Sequence, residues 1–432
     1  MLPKHTLSSI ILMLIMIQGI TAQTNGISNK SSKTKSTPLA FIQQHTLTSK
    51  FLEQEVAIDI YLPKTYAEDS NLHTYPLIVL LENEFFYQIT GVVKHLSSVS
   101  SMPEAIVVGF PKGFEKFYAP KVYTNNSNFW PKSWKQMPFD GAPDKFVDFF
   151  KEELFKYMSE QYRIADYKMI VGTSPTSAFP LHAFCKAPKL FQAHVAIAAG
   201  DILGMGYQPG ETFIDAIIES INNNQGYKAH LYITSADDDA DYDATIGKNL
   251  EELERQMSAF TTSNLKLKAE VFPNESHYGV VLPAFISAME TFFPKERWNP
   301  DFRDFEKEPG NMLTSMDTYY HELSEEYGYT ILPKAERWNS GNSLQASANR
   351  LLRQKRYEES IQVYRRLVTY RPKSAQAHSM LASALEANNN LEEALVIHKK
   401  AIALAKQYDN GHLQYYTEHM KEIASKIEGS KE

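Results

Sequence analysis

The order of apolar segments predicts an α/β protein with a doubly wound, mostly parallel sheet, followed by an all-α tail of helical hairpins. Two observations carry this expectation. Up to about residue 296, short β-rich runs alternate with amphipathic helical patterns, the order that puts helices on both faces of a parallel sheet. Beyond about residue 297, charged residues dominate, Pro and Gly thin out, and a repeat emerges. The predicted strands lie at 57–62, 76–81, 105–109, 169–171, 194–198, 229–235 and 266–272. Helical periodicity predicts helices over 143–162, 212–221, 249–259 and 281–294, and another running from the turn at 172–177 to residue 187.

The repeat aligns Tyr357-Glu358-Glu359-Ser360-Ile361 with Leu391-Glu392-Glu393-Ala394-Leu395, 34 residues further on. That is the tetratricopeptide period. Pro372 follows the first unit's second helix, and Ala382, Ala394 and Ala401 supply the small side chains that close helix pairs need. Two units cannot bury their own apolar faces, so they are expected to pack on a capping helix over 412–427 and on the preceding domain. The expected organisation is a signal peptide at 1–22, a disordered leader at 23–36, the α/β domain at 37–296, a linker at 297–339 and the helical domain at 340–432.

The 432-residue chain is 43% hydrophobic, enough for a sizeable core, and its net charge of −7 lacks the basic stripe that nucleic-acid binding needs. Lys4, the apolar run at 10–17 and the small residues ending at Ala22 have the layout of a cleaved secretory signal, so a secreted or periplasmic location is expected. The apolar run is well short of the ~20 residues a membrane span needs. With no cysteine at the cleavage point a lipid anchor is not indicated, and with Cys185 as the one cysteine there is no internal disulfide. Neither a cofactor nor a metal is expected.

The chemistry is concentrated at Val171-Gly172-Thr173-Ser174-Pro175-Thr176-Ser177. A strand, a sharp turn bearing a serine and then a helix is the context of a G-x-S-x-G nucleophile elbow, whose strained turn lifts the hydroxyl above the sheet edge. Ser174 is the candidate nucleophile. His277, in the loop after the last strand, is the candidate general base, in the chain order serine, acid, histidine. The acid belongs after the penultimate strand, where the sequence reads Ala236-Asp237-Asp238-Asp239-Ala240-Asp241-Tyr242-Asp243. Asp239 is the first choice, with Asp237 and Asp238 as alternatives; a solvated loop or a calcium site would use the same residues. Phe129, Trp130 and Trp134 lie on a long loop that could roof the pocket.

Several segments together resemble the putative esterase family of α/β-hydrolases, typified by enterochelin esterases: 76–84, 103–111, 140–146, the elbow, and His277-Tyr278-Gly279-Val280-Val281-Leu282-Pro283. The resemblance covers roughly residues 40 to 295. It implies a serine esterase acting on a small-molecule ester, siderophore-like substrates included, with the nucleophile on Ser174 and the base on His277. Some secreted members are similar to this chain in carrying a tetratricopeptide tail after a Tyr-Gly-Tyr linker such as Tyr327-Gly328-Tyr329, and that tail could receive a protein partner. The family's G-H-S-x-G-G elbow departs here to Thr173, Thr176 and Ser177, and its L-D-G to Leu81-Glu82-Asn83. Pro175 matters most, because the residue after the nucleophile supplies half of the oxyanion hole through an N–H that proline lacks. Pro180 is expected to kink the elbow helix at a cost of about 3 kcal/mol. Two readings therefore stand: an exported serine ester hydrolase weakened at its oxyanion hole, or a catalytically inactive relative that binds a ligand or a protein.

Overall fold

The computed structural model describes residues 42–67, 70–112, 114, 117–118, 141–208, 211–224, 226, 228–242, 244–260, 265–336, 340–408 and 412–429. The expected signal segment and leader, and the aromatic residues Phe129, Trp130 and Trp134, lie outside the described residues. An eight-stranded sheet organises the first two thirds of the chain. Its strands are β1 (Ile42–Ser49), β2 (Gln54–Tyr61), β3 (Tyr75–Leu80), β4 (Ile106–Lys112), β5 (Ile164–Thr173), β6 (Ala193–Ile197), β9 (Ala229–Ala236) and β10 (Leu265–Phe272). A separate two-stranded ribbon pairs β7 (Gly206–Gln208) with β8 (Glu211–Thr212).

The spatial order is β1-β2-β4-β3-β5-β6-β9-β10. Pairing is antiparallel between β1 and β2 and between β2 and β4, and parallel everywhere else. Strand β1 was not expected from the sequence. Its residues IQQHTLTS sit half exposed at the sheet edge, where polar side chains are tolerated and the apolar signal is weak.

Side-chain alternation along the central strands builds two cores. Ile78 and Leu80 of β3 and Met169 and Val171 of β5 face one layer, where Phe86, Ile89 and Val93 of helix Phe86–Ser98 meet Phe285, Met289 and Phe292 of helix Val281–Phe292. Leu77, Val79 and Ile170 face the other, against Phe146, Phe149 and Phe150, Phe179, Phe213 and Leu253. The predicted helix at 143–162 forms with a π turn, Phe150–Leu154, between Pro143–Phe149 and Phe155–Gln161. Both Phe149 and Phe150 are completely buried there.

Residues 297–339, expected as a linker, hold the helices Phe302–Phe305 and Met312–Tyr327. Met312, Met316, Tyr320, Leu323 and Tyr327 recur at helical spacing on one buried face, and the charged residues between them masked this pattern. The tail then forms two hairpins, Leu344–Arg353 with Tyr357–Tyr370 and Ala375–Ala387 with Leu391–Tyr408, closed by helix Leu413–Gly429. Hydroxyls of Ser343 and Ser374 cap the first helix of each hairpin, accepting the N–H of Ala346 and Ala377 at 3.2 and 3.1 Å. Ala382, Ala394 and Ala401 are fully buried where the helices meet.

The tail shares a core with the sheet domain. Leu344, Leu351, Leu367 and Leu385 belong to the same apolar cluster as Phe285 and Met289. A polar seam runs beside it: Ser70 N–H donates to the Tyr370 carbonyl at 2.9 Å, and Lys373 Nζ to the Ala67 carbonyl at 3.1 Å. Among the described residues, no helix is long and apolar enough to cross a membrane.

Candidate active site

Strands β5, β9 and β10 all end at the same edge of the sheet, and the residue types singled out in the sequence follow those ends. At the end of β5 the chain turns through Ser174, whose φ of +53° lies in the left-handed region that a non-glycine residue rarely occupies. The turn passes so close to its strand that a Cβ on Gly172 would lie 2.4 Å from the Thr176 carbonyl oxygen, which is why this position must be glycine. A 3₁₀ turn, Ser174–Ser177, leads into helix Ala178–Lys186. Pro180 therefore falls in the first turn of the α-helix, where a missing N–H is tolerated, and not in a helix interior as expected.

Ser174 is 5% exposed, and its Oγ lies 2.8 Å from His277 Nε2. On the other side of the ring, His277 Nδ1 lies 2.8 Å from Asp239 Oδ1. With the Asp239 carboxylate as acceptor, Nδ1–H is the donor to it, which leaves Nε2 to accept a hydrogen bond from the Ser174 hydroxyl. Asp239 Oδ2 also accepts the Ala236 N–H at 3.3 Å. The hydrogen bond to Asp239 holds His277 above the usual histidine range, against the opposing effect of burial, and the charges of Asp239 and Asp201 add to it.

The structure separates the three candidate acids. Asp239 meets the histidine. Asp237 instead accepts the backbone N–H groups of Asn274 and Glu275, and Asp238 is exposed. Among the described residues, no group of three or more His, Cys, Asp or Glu side chains is arranged to hold a metal ion.

Asp201, in the short helix Gly200–Leu203 after β6, was not singled out from the sequence. Burial pushes its carboxyl up to about 7, while His277 draws it down. A hint was present: β6 lies between the strands carrying the serine and the acid, so a polar residue just past its end enters the same crevice.

On the oxyanion side, Pro175 stands directly after the serine. Thr176 offers no substitute donor, because its hydroxyl accepts the Thr173 N–H at 2.8 Å and donates to the Thr173 carbonyl at 2.9 Å. Across the crevice, β3 leads through Leu81, bonded to the Val171 carbonyl at 3.0 Å, into a 3₁₀ turn, Asn83–Phe85, that continues as helix Phe86–Ser98. The first N–H groups of that helical run have no intrahelical acceptor and form the anion-friendly end of the helix dipole. The half-buried Glu82 carboxyl at this entrance is raised by burial and by Glu84. The aromatic rings of Phe85 and Tyr278 lie 6.1 Å apart, which brings this turn against the histidine loop.

Comparison with known proteins agrees with this architecture. The family described as Putative esterase matches residues 49–281, more than half of the chain, and a tetratricopeptide repeat family matches residues 351–412. Among solved structures, an IroE-like serine hydrolase from Shewanella oneidensis superposes with a TM-score of 0.55 at 19% identity, covering 73% of this chain and 95% of its own. An uncharacterised protein from Capnocytophaga ochracea gives 0.52 at 17% identity, covering 87% of this chain and 99% of its own. No curated protein matched the chain. With the sheet order, the elbow and the match across most of the sheet domain in agreement, the chain belongs to the Putative esterase family and is by class a carboxylic ester hydrolase.

Proposed function

We propose that this chain is an exported serine ester hydrolase in which Ser174 is the nucleophile, His277 the general base and Asp239 the residue that orients the histidine. The carrying observation is the continuous line Ser174 Oγ, His277 Nε2, His277 Nδ1, Asp239 Oδ1, with both links at 2.8 Å. Ser174 Oγ attacks the ester carbonyl carbon as its proton moves to His277 Nε2. Asp239 stabilises the imidazolium without taking its proton. The tetrahedral oxyanion collapses, the alcohol leaves with the proton from His277, and water repeats the sequence on the acyl-enzyme.

The oxyanion is where this site is poor. Pro175 removes one backbone donor, and the helical run opening at Asn83 supplies the other half of the hole. Losing one donor typically costs ~10²- to 10³-fold in turnover, so a slow enzyme is the expected outcome. Pro175 is also the one feature that favours the second reading, a ligand-binding relative without turnover. The substrate is a small-molecule ester, siderophore-like esters included, and the helical tail is available to a protein partner. The N-terminal sequence supports export to a secreted or periplasmic location.

The test is labelling with a fluorophosphonate probe alongside hydrolysis of p-nitrophenyl butyrate. Labelling of the parent that is lost in Ser174→Ala supports the esterase reading. Absence of both labelling and turnover in a correctly folded parent favours the ligand-binding reading.

A further inference from the structure

The loop that carries His277 is tied to the turn that carries Asp239 by a carboxylate that has no part in the chemistry. The parallel ladder between β9 and β10 ends with Phe272 opposite Ala236. Beyond it, the N–H groups of Asn274 and Glu275 have no strand opposite them, and Asp237 takes both. Its Oδ2 accepts from Asn274 at 2.6 Å, and its Oδ1 accepts from Glu275 at 3.0 Å and from the Asp238 N–H at 3.1 Å. Asn274 has a φ of +60°, a conformation asparagine tolerates better than most residues, and it aims two successive N–H groups at one acceptor. The bonds to Asn274 and then Glu275 hold the Asp237 carboxyl below the usual carboxylate range. Apart from the bond of His277 itself to Asp239, the loop's backbone bonds, Gly279 N–H to Ser276 Oγ at 3.2 Å and Val280 N–H to the Ser276 carbonyl at 3.0 Å, lie within the loop and at the start of the following helix and not across to the acid turn.

We propose that Asp237 is a positioning residue: it sets the spacing between the Asp237–Tyr242 turn and the histidine loop, so that His277 meets Asp239 and Ser174 at the same time. The proposal rests on the triad reading above and extends it. Charge-assisted bonds to backbone N–H groups are roughly twice as strong as neutral ones, which suits a clamp across two loops that share no ladder. Asp239 and Asp201 are the main charges that raise His277. Asp238→Asn removes a charge from the same turn without removing a side-chain bond to the loop, so a shift confined to the Asp237 variants reports geometry rather than lost charge.

The experiment follows the His277 ring by NMR titration in the full chain, with p-nitrophenyl butyrate kinetics and thermal melting measured on the same samples. In the parent, His277 titrates above the ordinary value of about 6.5. In Asp237→Ala its titration falls toward that value, in the direction set by Asp239→Ala. Alongside it, kcat drops on the order of 10- to 100-fold with little change in KM, the scale expected of a small misplacement. Asp237→Asn, which keeps one acceptor oxygen, lies between, and Asp238→Asn matches the parent in every readout. An unshifted His277 titration in a folded Asp237→Ala chain, whatever its melting temperature, overturns the proposal. Should Asp237→Ala fail to fold, Asp237→Asn decides by the same titration. A parent without esterase turnover would sink the functional reading alone, because the titration needs no turnover.

Discussion

Replacing Pro175 with alanine restores a backbone N–H beside Ser174, the proposed nucleophile, at the point where negative charge would develop in acyl transfer. Pro175 occupies the first turn of the 3₁₀ segment Ser174–Ser177, where a new N–H has no intrahelical acceptor and is free for the oxyanion. One such donor is worth about 2.7 to 4 kcal/mol of transition-state stabilisation, or ~10²- to 10³-fold in turnover. The substitution loosens the unfolded chain at a cost of only about 0.4 to 1 kcal/mol, too little to unfold the protein. Initial rates on p-nitrophenyl butyrate should therefore rise by at least about tenfold, a cautious fraction of one donor's worth. Adding Ser174→Ala should abolish the gain. Thr176 must stay in place, since its hydroxyl holds both the N–H and the carbonyl of Thr173. If Pro175→Ala melts within a few degrees of the parent and still hydrolyses at the parental rate, the oxyanion argument is refuted.

Other outcomes follow from the same geometry. Because His277 must be neutral to accept the serine proton and its pKa is raised chiefly by the bond to Asp239, kcat/KM should fall as pH drops through a value above about 6.5; an acid limb below that contradicts the arrangement. Asp239→Asn should lower kcat by up to ~10⁴-fold through loss of the correct tautomer, whereas Asp238→Asn should leave it within a few-fold. His194 and His230 are buried with folded pKa values pushed down by burial, to about 3 for His194. Their stabilisation is present above the unfolded value of about 6.5 and is lost as pH falls below it. Asp201, raised to about 7, gains stability over the same window, so the histidine contribution is read as a difference: between pH 7.5 and 5.5 urea denaturation should show the parent losing about 2 kcal/mol more than a His194→Gln, His230→Gln variant, and parallel profiles would show that these histidines are not held neutral. Truncation after residue 296 should lower the melting temperature by ten degrees or more or make the protein insoluble, since it strips the partners of Phe285 and Met289 in the shared core; an unchanged melt would contradict this.

The sheet was legible because its central strands are buried on both faces and so read as unbroken apolar runs: all six residues of β3 are buried. The pairing of Ser174 with His277 was legible because each follows the end of a strand of the parallel sheet. Spacing alone does not decide which of Asp237, Asp238 and Asp239 meets the histidine, although Asp239 was the first choice. Neighbours on one short turn differ only in direction, and direction depends on where the loop after β10 passes. Asp201 was missed for a similar reason: its significance comes from β6 lying between β5 and β9, which is a property of strand order and not of local pattern.

Pro180 and the segment at 297–339 show how local rules mislead when element boundaries are uncertain. A proline is costly inside a helix and nearly free in its first turn, and the intervening 3₁₀ turn moves the α-helix start to Ala178. Helix Met312–Tyr327 is amphipathic, yet its composition is that of a polar connector, so only the spacing of five buried side chains betrays it. That helix changes the meaning of the tail. Its buried face lies in the same core as Val280, Val281 and Phe285, which begin the helix directly after His277, and Leu344, Leu351 and Leu367 of the repeats continue that core outward. The repeats are thus a structural extension of the layer that anchors the loop of His277. A variant that loosens the repeat packing is connected to the candidate site through helix Val281–Phe292 even though, among the described residues, the hydrogen-bonded line runs from Ser174 through His277 to Asp239 without a residue of the tail.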